Sequence, residues 1–253
     1  MLAKLPDPVG YVAAMGFFDF LRDSPRYADT PASIARLNKR HRFLIDPYVD
    51  DIKGASVLDL ASHDGRWSYA LSAAGAREVL GIEGRAESIE QWAAYPEGPV
   101  KDRVSFVHGD VYEELPRLVA EGRQFDVVAL FGLFYHVMDH YNLLKLIYAV
   151  KPKLIIIDSE FYISPDPTVR IAREKTDNRL NSIEHIPGQK RAPMGFPSRS
   201  ALEVMAATLG YGVEWADWGT VPPDRRNGLA SYYREPPEWK VRDTCALRPL
   251  AAE

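Results

Sequence analysis

The sequence predicts an α/β fold: a seven-stranded, mostly parallel, doubly wound sheet that ends in an antiparallel hairpin. Short apolar runs alternate with helical stretches from Ser56 onward, which is the pattern of strand–helix–strand units. The runs are almost continuously apolar, as expected of parallel strands that are buried on both faces. At 253 residues, 46% hydrophobic and 26% charged, the chain has the size and composition of one globular domain with an accessory piece.

The elements of the parallel part follow in a regular order. Apolar runs predict strands at 56–61, 78–83, 104–109, 125–131 and 153–159. The stretches between them predict helices at 65–74, 86–95, 112–121 and 140–150.

The end of the chain departs from this alternation. A helix is predicted at 198–209, because Ser198 is a good N-cap and Gly210 a good residue to follow a helix end. A strand is predicted at 211–218. The last apolar run, 241–250, follows a proline-rich connection without a crossover helix, so we expect an antiparallel strand there.

Two segments lie outside the predicted sheet. Residues 1–53 are rich in aromatic side chains and are expected to form an N-terminal helical cap, with a helix that starts at Thr30 and Pro31. Residues 160–197 form a long connection with five prolines, and connections of that length are often lids or binding loops. We therefore expect a main domain at 54–253, with 160–197 as a substrate-covering insertion.

The composition limits the classes of partner and compartment. A net charge of −4 and a pI near 5.9 argue against nucleic acid, which normally requires a basic surface. The single cysteine, Cys245, excludes an intramolecular disulfide and a cysteine zinc cluster, so a reducing cytoplasm is expected. Pro6, Pro8 and Asp19 interrupt the first apolar stretch, which therefore predicts neither a signal peptide nor a membrane span.

The segment DLASHDGRW, residues 59–67, follows the first strand, at the edge where open α/β sheets bind ligands. A dinucleotide pyrophosphate requires small residues in this turn. Only Gly65 remains of the three expected glycines, and Ala61 and His63 are bulkier. The turn is therefore either a plain strand-to-helix connection or a site for a nucleotide without phosphate.

Acidic residues end the next two strands. Glu83 follows Asp59 at the spacing of an acid that accepts both ribose hydroxyl protons, and a solvated charge is the alternative. Asp110 can accept from the exocyclic amine of adenine while it caps the helix that starts at Val111. Acidic groups without a phosphate cradle suit an adenosine that carries a cationic group, as in S-adenosyl-L-methionine.

These residues resemble those of class I (Rossmann-like) S-adenosylmethionine-dependent methyltransferases. The family pattern acidic-x-Gly-x-Gly-x-Gly is matched by DLASHDG with the first two glycines replaced, and the resemblance covers about residues 54–248. It implies S-adenosyl-L-methionine as cofactor, with the ribose acid at Glu83 and the adenine acid at Asp110. The predicted cofactor-binding residues are Asp59, Ala61, Ser62, His63, Gly65, Trp67, Glu83, Gly84, Asp110, Val111 and Phe131.

His136 follows the fourth strand, in LFGLFYHVMDH. In the family this strand end meets the transferred methyl group, and many small-molecule methyltransferases keep a base there. Histidine changes charge near neutral pH and can take a hydroxyl proton during attack. We therefore predict His136 as the catalytic base of an O-methyltransferase; packing with Phe134 and Tyr135 is the alternative.

Asp158 and Glu160 alternate after the fifth strand, so in an extended segment they point to the same side. Two carboxylates beside an active site can hold Mg²⁺, which would lower the pKa of an acceptor hydroxyl. The alternatives are a hydrogen bond to a substrate hydroxyl or a salt bridge with Arg170 or Arg173.

The acceptor is predicted to be a hydroxyl of a small molecule or oligosaccharide. The segments ASHDGRWS and LFYH resemble, more loosely, bacterial sugar O-methyltransferases that act on mannosides of methylated polysaccharides. The segment FGLFYH also resembles tRNA wobble-uridine carboxymethyl-transferring enzymes, and a non-catalytic cofactor-binding module is a third hypothesis. The aromatic side chains expected over the site are Phe17, Phe18, Tyr27, Phe161, Tyr162 and Phe196.

Overall fold

The computed structural model describes residues 16–24 and 26–251, and the first fifteen residues of the predicted cap lie outside them. The strands of this part are β1 (Ser56–Leu60), β2 (Glu78–Glu83), β3 (Val104–His108), β4 (Val127–Phe131), β5 (Leu154–Tyr162), β6 (Val169–Lys175), β7 (Arg191–Pro197), β8 (Tyr211–Trp215) and β9 (Lys240–Pro249). The helices are α1 (Pro31–Leu44), α2 (Val49–Ile52), α3 (Arg66–Ala73), α4 (Ala86–Ile89), α5 (Pro99–Asp102), α6 (Val111–Ala120), α7 (His140–Ala149) and α8 (Arg199–Ala207).

The main sheet has seven strands in the order β3-β2-β1-β4-β5-β9-β8. The first five pair in parallel, and β9 runs antiparallel to both β5 and β8. The predicted α/β class and the terminal antiparallel hairpin are confirmed. This order places the carboxyl ends of β1 and β4 side by side at the switch point, where a crevice for a ligand forms.

Two apolar layers hold the sheet. On one face, α1 and α3 pack against β1 through side chains such as Leu37, Trp67 and Leu71. On the other face, α6, α7 and α8 contribute side chains such as Leu115 and Leu202, all shielded from solvent. The sheet is therefore covered on both sides, as the continuous apolar runs predict.

The prediction of a single helix at 86–95 is wrong for its second half. The α-helix ends at Ile89, and residues Glu90–Ala94 form a 3₁₀ helix. Pro96 disfavours helical backbone at Tyr95, which is extended with ψ 149°. The change of direction brings Trp92 against Phe106, with ring centroids 5.1 Å apart.

The insertion starts later than predicted. β5 pairs with β9 through Tyr162, so residues 160–162 belong to the main sheet and not to the connection. The connection itself carries the antiparallel hairpin of β6 and β7, which the proline count had concealed. Pro193 lies in β7 of this two-stranded sheet, where proline is tolerated on an edge strand.

The described part of the N-terminal cap is helical. A 3₁₀ helix at Phe17–Asp23 precedes α1, which starts at Pro31 as predicted. Phe18 is fully buried against Trp67, with ring centroids 5.0 Å apart. Within residues 16–24 and 26–251, every helix is too short or too polar to cross a membrane.

Candidate functional site

A cavity of about 270 Å³ opens at the carboxyl ends of β1 to β4. It is lined on one side by the turns that follow these strands and on the other by residues 179–183 of the insertion. All the predicted cofactor residues except Gly65 line it, and His136 does too: Asp59, Ala61, Ser62, His63, Trp67, Glu83, Gly84, Asp110, Val111, Phe131 and His136.

The turn after β1 keeps the backbone conformation of the glycine pattern, although only Gly65 of its three glycines is present. Ala61, His63 and Gly65 all have positive φ, at 57°, 57° and 82°. These are the three glycine positions of the pattern that DLASHDG resembles. A left-handed conformation costs a residue with a Cβ roughly 1–2 kcal/mol, so the surrounding hydrogen bonds must hold the turn in place.

His63 provides part of this support through both its backbone and its ring. The backbone N–H donates to Glu83 Oε2 at 2.8 Å, and the ring nitrogens lie 3.1 and 2.7 Å from the guanidinium groups of Arg26 and Arg66. The turn accommodates His63 through the positive φ of this residue, and the imidazole ring contacts the two arginines.

A buried carboxylate joins the cap to this turn. Asp64 accepts from Tyr27 Oη and from Arg66 Nε, both at 2.6 Å, and Arg26 lies 3.4 Å away. Burial alone would raise the pKa of Asp64, but the charge of Arg66 and the hydrogen bond with His63 hold it well below its usual range. The cap is thus fixed to the cofactor turn through a charged group.

Asp59 lies at the end of β1 with 1% of its surface exposed. Burial raises its pKa to about 7, although Ser68 Oγ donates a hydrogen bond at 2.6 Å that favours the charged form. An ammonium group in the cavity would stabilise the ionised carboxylate.

Glu83 uses both oxygens to fix backbone: Oε2 accepts from His63 N at 2.8 Å, and Oε1 accepts from Arg85 N at 3.0 Å. Each oxygen keeps a second lone pair, because a carboxylate has about four acceptor sites. Glu83 can therefore hold the turn and still accept from two ribose hydroxyls.

The Glu83→Gln variant is expected to bind S-adenosylhomocysteine about tenfold more weakly, because its amide NH₂ must face a backbone N–H. Isothermal calorimetry measures this, with Glu87→Gln on the exposed face of α4 as the matched control. Equal affinity in the two variants would contradict the assignment of Glu83 to the site.

Asp110 has the capping role predicted for it. Its Oδ1 accepts from Tyr112 N at 2.9 Å at the start of α6. Its other oxygen, Oδ2, lies 3.7 Å from Nδ1 of His185 in the insertion. The second oxygen thus faces the cavity side, where an adenine amine would approach.

Arg85 fixes the insertion over the cavity. Its Nη2 lies 2.9–3.4 Å from four backbone carbonyl oxygens, those of Thr176, Asn178, Asn181 and Ser182. Gly84, beside it, leaves room for Ile183, because a Cβ there would approach Ile183 to 3.0 Å. One side chain from the end of β2 thereby organises the loop that lines the cavity.

The Arg85→Ala variant should open this loop. Charge-assisted hydrogen bonds contribute about 1.5–3 kcal/mol, so amide exchange in 176–183 should quicken about ten- to hundredfold. Hydrogen–deuterium exchange with mass spectrometry reads this directly, and Arg77→Ala, an exposed arginine before β2, provides the control. Unchanged exchange in this segment would show that Arg85 does not hold the loop.

His136 lies in the 3₁₀ helix Phe134–His136 that follows β4. Its Nδ1 is 2.7 Å from Oε1 of Glu174, which comes from β6 of the insertion. Ser182 Oγ lies within hydrogen-bonding distance of the same Glu174 oxygen, at 2.7 Å, and of the backbone carbonyl of His136, at 2.8 Å. Burial would raise the pKa of Glu174, but the hydrogen bond and charge of His136 hold it below its ordinary value.

An ionised Glu174 can only accept, so the proton of a neutral His136 belongs on Nδ1 and the lone pair on Nε2. Nε2 has no hydrogen-bond partner among residues 16–24 and 26–251. His136 also packs against an aromatic side chain, as the alternative prediction expected, because the His136 and Tyr135 ring centroids are 4.0 Å apart.

The predicted Mg²⁺ site at Asp158 and Glu160 is corrected by the structure. Asp158 is paired with Arg40 and Arg242, and Glu160 with Arg234 and Lys240. The arginines occupy Oδ1 of Asp158, Tyr232 and Thr244 donate to its Oδ2, and one cation contacts each oxygen of Glu160, so the oxygens that a metal would need already have partners.

The salt-bridge alternative for the two acids is the better interpretation, although its partners are not Arg170 and Arg173 as expected. In the part of the chain that is described, no cluster of three or more acidic, histidine or cysteine ligands is found.

Residues 57–152 match the sequence model of a family described as a methyltransferase domain. The demethylmenaquinone methyltransferase of Clavibacter sepedonicus is 32% identical over 173 residues, and the match spans 67% of this chain and 66% of the relative's length. The chain belongs to the class I S-adenosylmethionine-dependent methyltransferases. This methyltransferase is an enzyme with S-adenosylmethionine as its cofactor.

Solved methyltransferase structures share its fold. The N-terminal domain of EvdMO1, determined in the presence of S-adenosylhomocysteine and D-fucose, has a TM-score of 0.60 at 20% identity, covering 87% of this chain and 83% of that one. An S-adenosylmethionine-dependent methyltransferase from Mesorhizobium loti has a TM-score of 0.57 at 14% identity, covering 86% and 99%. At these identities the likeness concerns the fold.

Several site residues of the methyltransferase were not anticipated from the sequence. Glu174 and Ser182 lie 38 and 46 positions after His136 and meet it only through the hairpin. Arg40 and Arg242 come from opposite ends of the chain. Of these residues only Arg40 had a signal in the sequence: Arg36 and Arg40 lie one helical turn apart in the basic run 36–42 and could line a substrate entry, with a solvated helix face as the alternative.

Proposed function

We propose that this methyltransferase transfers the methyl group to a hydroxyl oxygen of a small molecule or sugar, with His136 as the general base. The observation that supports this most is the 2.7 Å contact between His136 Nδ1 and Glu174, with Nε2 left available in the cavity. A carbon or thiolate nucleophile has less need of a positioned base than a neutral hydroxyl does.

S-adenosylmethionine supplies, when bound, a methyl group on a positively charged sulfur. The acidic groups of the cavity fit such a molecule: Glu83 would take the ribose hydroxyls, Asp110 the adenine amine and Asp59 the ammonium group. The turn at 61–65 has positive φ at all three glycine positions of the family pattern. No phosphate-binding glycine loop is needed for this ligand.

In the proposed reaction, His136 Nε2 accepts the hydroxyl proton as an oxygen lone pair forms the bond to the methyl carbon. Methyl transfer to that oxygen would leave the electron pair of the carbon–sulfur bond on the sulfur of S-adenosylhomocysteine. Glu174 stabilises the imidazolium that results, and Ser182 keeps Glu174 in place. Alignment of the reactants can account for about 7–11 kcal/mol of the barrier, and the base adds about 10²–10⁴-fold.

A sugar or other small hydroxyl compound suits the aromatic walls of the cavity. Phe131 and Tyr135 line it near His136, and the loop 179–183 covers it. The D-fucose in the EvdMO1 structure makes a sugar acceptor, a mannoside included, a reasonable first candidate. The name of the C. sepedonicus relative makes demethylmenaquinone the second candidate to test.

A screen with radiolabelled S-adenosylmethionine tests the proposal. The acceptor panel contains mannosides and other sugars, phenols, demethylmenaquinone and unmodified tRNA. Transfer to a sugar or other small hydroxyl compound is expected. Transfer to tRNA alone would favour the wobble-uridine hypothesis, and transfer to demethylmenaquinone alone would favour the function named for the relative.

A further inference from the structure

Two buried arginines of the cavity share a single carboxylate. Arg40 of α1 and Arg242 of β9 are 6% and 8% exposed, and Asp158 between them is fully buried. Asp158 Oδ1 accepts from Arg40 Nη2 at 2.7 Å and from Arg242 Nε at 2.6 Å. Its other oxygen accepts from Tyr232 Oη at 2.6 Å and Thr244 Oγ1 at 2.9 Å. This cluster of three charged groups therefore has a net charge of +1.

In the described part of the chain, no second carboxylate neutralises the excess positive charge, since Asp158 is the one carboxylate there within salt-bridge distance of Arg40 or Arg242. The next acid on β5, Glu160, has two cations of its own. Arg36, one turn before Arg40, adds a third guanidinium, and burial followed by the charge of Arg40 lowers its pKa below the ordinary value.

The excess charge faces the cavity. Arg40 and Arg242 both line it, and the protein hydrogen bonds engage their Nε and Nη2 atoms, which leaves Nη1 of each without a carboxylate partner. A buried charge is costly when it is unpaired. A planar guanidinium binds carboxylate and phosphate oxygens with good geometry, so an oxyanion would complete the cluster.

Arg242 lies away from the predicted ribose and adenine acids, whereas Arg40 Cζ is 5.1 Å from the ring centroid of Trp67, a predicted cofactor residue. The predicted cofactor residues Glu83 and Asp110 follow β2 and β3, whereas Arg242 belongs to β9, three strands beyond β1 in the sheet. Arg242 Cζ is 5.9 Å from the centroid of the Tyr135 ring, and that ring is 4.0 Å from His136. An anion held there would be adjacent to the base.

We propose that Arg40 and Arg242 form an anion-binding subsite for the acceptor, and that the acceptor is an acidic hydroxyl compound with a carboxylate or phosphate group. This inference rests on the proposed function, since it assigns the region beside His136 to the acceptor. The methionine carboxylate of the cofactor has the same chemistry, and the test therefore separates the two sources.

The first arm measures binding by calorimetry on protein saturated with S-adenosylhomocysteine. The probes are inorganic phosphate and the matched pairs D-glucuronate with D-glucose, and 4-hydroxybenzoate with 4-hydroxybenzyl alcohol. Phosphate should bind saturably, and the acid should bind about tenfold or more tightly than its neutral partner. Equal affinities within the pairs, or no binding of phosphate, would overturn the proposal.

The second arm uses Arg242→Met, with Arg248→Met, an exposed arginine of the same strand, as the control. Arg242→Met should remove the preference for acids and change the affinity for S-adenosylhomocysteine less than twofold. A tenfold loss for S-adenosylhomocysteine, with none for 5′-methylthioadenosine, which lacks the carboxylate, would assign the site to the cofactor and overturn the proposal.

Two further variants keep the result unambiguous. If Arg242→Met does not fold, Arg242→Lys is the second variant, because lysine keeps the charge but lacks the paired donors of a guanidinium group. It should still lose most of the preference for acids. Retention of the full preference would overturn the proposal. His136→Gln should keep the preference, because binding needs no base. Turnover that survives in His136→Gln would count against the proposed function alone, since the binding arms do not depend on turnover.

Discussion

Replacement of His136 by glutamine is expected to lower kcat about 10²–10⁴-fold, which is the contribution of a positioned general base. Glutamine fills a similar volume and can hydrogen-bond to Glu174, but it cannot accept a proton at neutral pH. The affinity for S-adenosylhomocysteine should remain the same, because the acids predicted to hold the cofactor, Asp59, Glu83 and Asp110, lie at the ends of other strands. Initial rates with the identified acceptor, together with calorimetry, give both values.

His108→Ala is the matched control for this experiment, because His108 is an exposed histidine at the end of β3. It should retain kcat. If His136→Gln retains it as well, the base has been assigned wrongly and proximity alone carries the reaction.

In the proposed reaction, Glu174 acts through His136 as a positioning residue. The Glu174→Gln variant removes the negative partner of the imidazolium, so the acidic limb of the pH–rate profile should move to lower pH while kcat falls. A structural role for Glu174 would lower the amount of folded protein without moving the profile.

The second large effect is expected on stability. Asp158→Asn removes the only carboxylate partner of two buried guanidinium groups, Arg40 and Arg242, in the described part of the chain. Breaking a buried ion pair costs about 3–5 kcal/mol, because it leaves a charge without compensation. The free energy of unfolding in urea should fall by that amount, and an anionic ligand should restore part of it.

Asp51→Asn is the surface comparison, since Asp51 pairs with the exposed Arg248 at 2.8 Å and such pairs contribute about 0–1 kcal/mol. Equal losses in the two variants would contradict the description of Asp158 as the centre of a buried cluster.

The pH dependence of Asp158 has a definite sign. Burial raises the pKa of Asp158, but the charges of Arg242 and Arg40 lower it by more than burial raises it. The resulting pKa of about 2 is below the value near 3.9 of an unfolded chain. Its contribution to stability is therefore complete above about pH 4 and lost as the pH falls through about 2. Acid unfolding of Asp158→Asn should lack this part of the profile.

The sequence predicts what depends on local pattern. The strand ends of β1, β2 and β3 place Asp59, Glu83 and Asp110 on one cavity because apolar runs and topology fix the sheet. The acids at 158 and 160 show where this reasoning fails. Their alternation is real, but their partners come from α1 and β9, and spacing along the chain does not reveal contacts between distant segments.

The glycine replacements in the cofactor turn are explained by backbone geometry. Ala61 and His63 keep the positive φ that the pattern requires, and Glu83 and the arginines around His63 stabilise the turn. Glu174 could not be predicted, because its hairpin is enclosed in a connection with the composition of a loop.

The atom that receives the methyl group is the most direct test of the account. The enzyme is incubated with S-adenosylmethionine labelled with ¹³C in the methyl group, and the carbon NMR signal of the product identifies the new bond. We expect a methyl ether on a former hydroxyl oxygen, formed by the native enzyme and hardly at all by His136→Gln. A methyl ester, or a methyl group bonded to carbon or nitrogen, would contradict the proposed function.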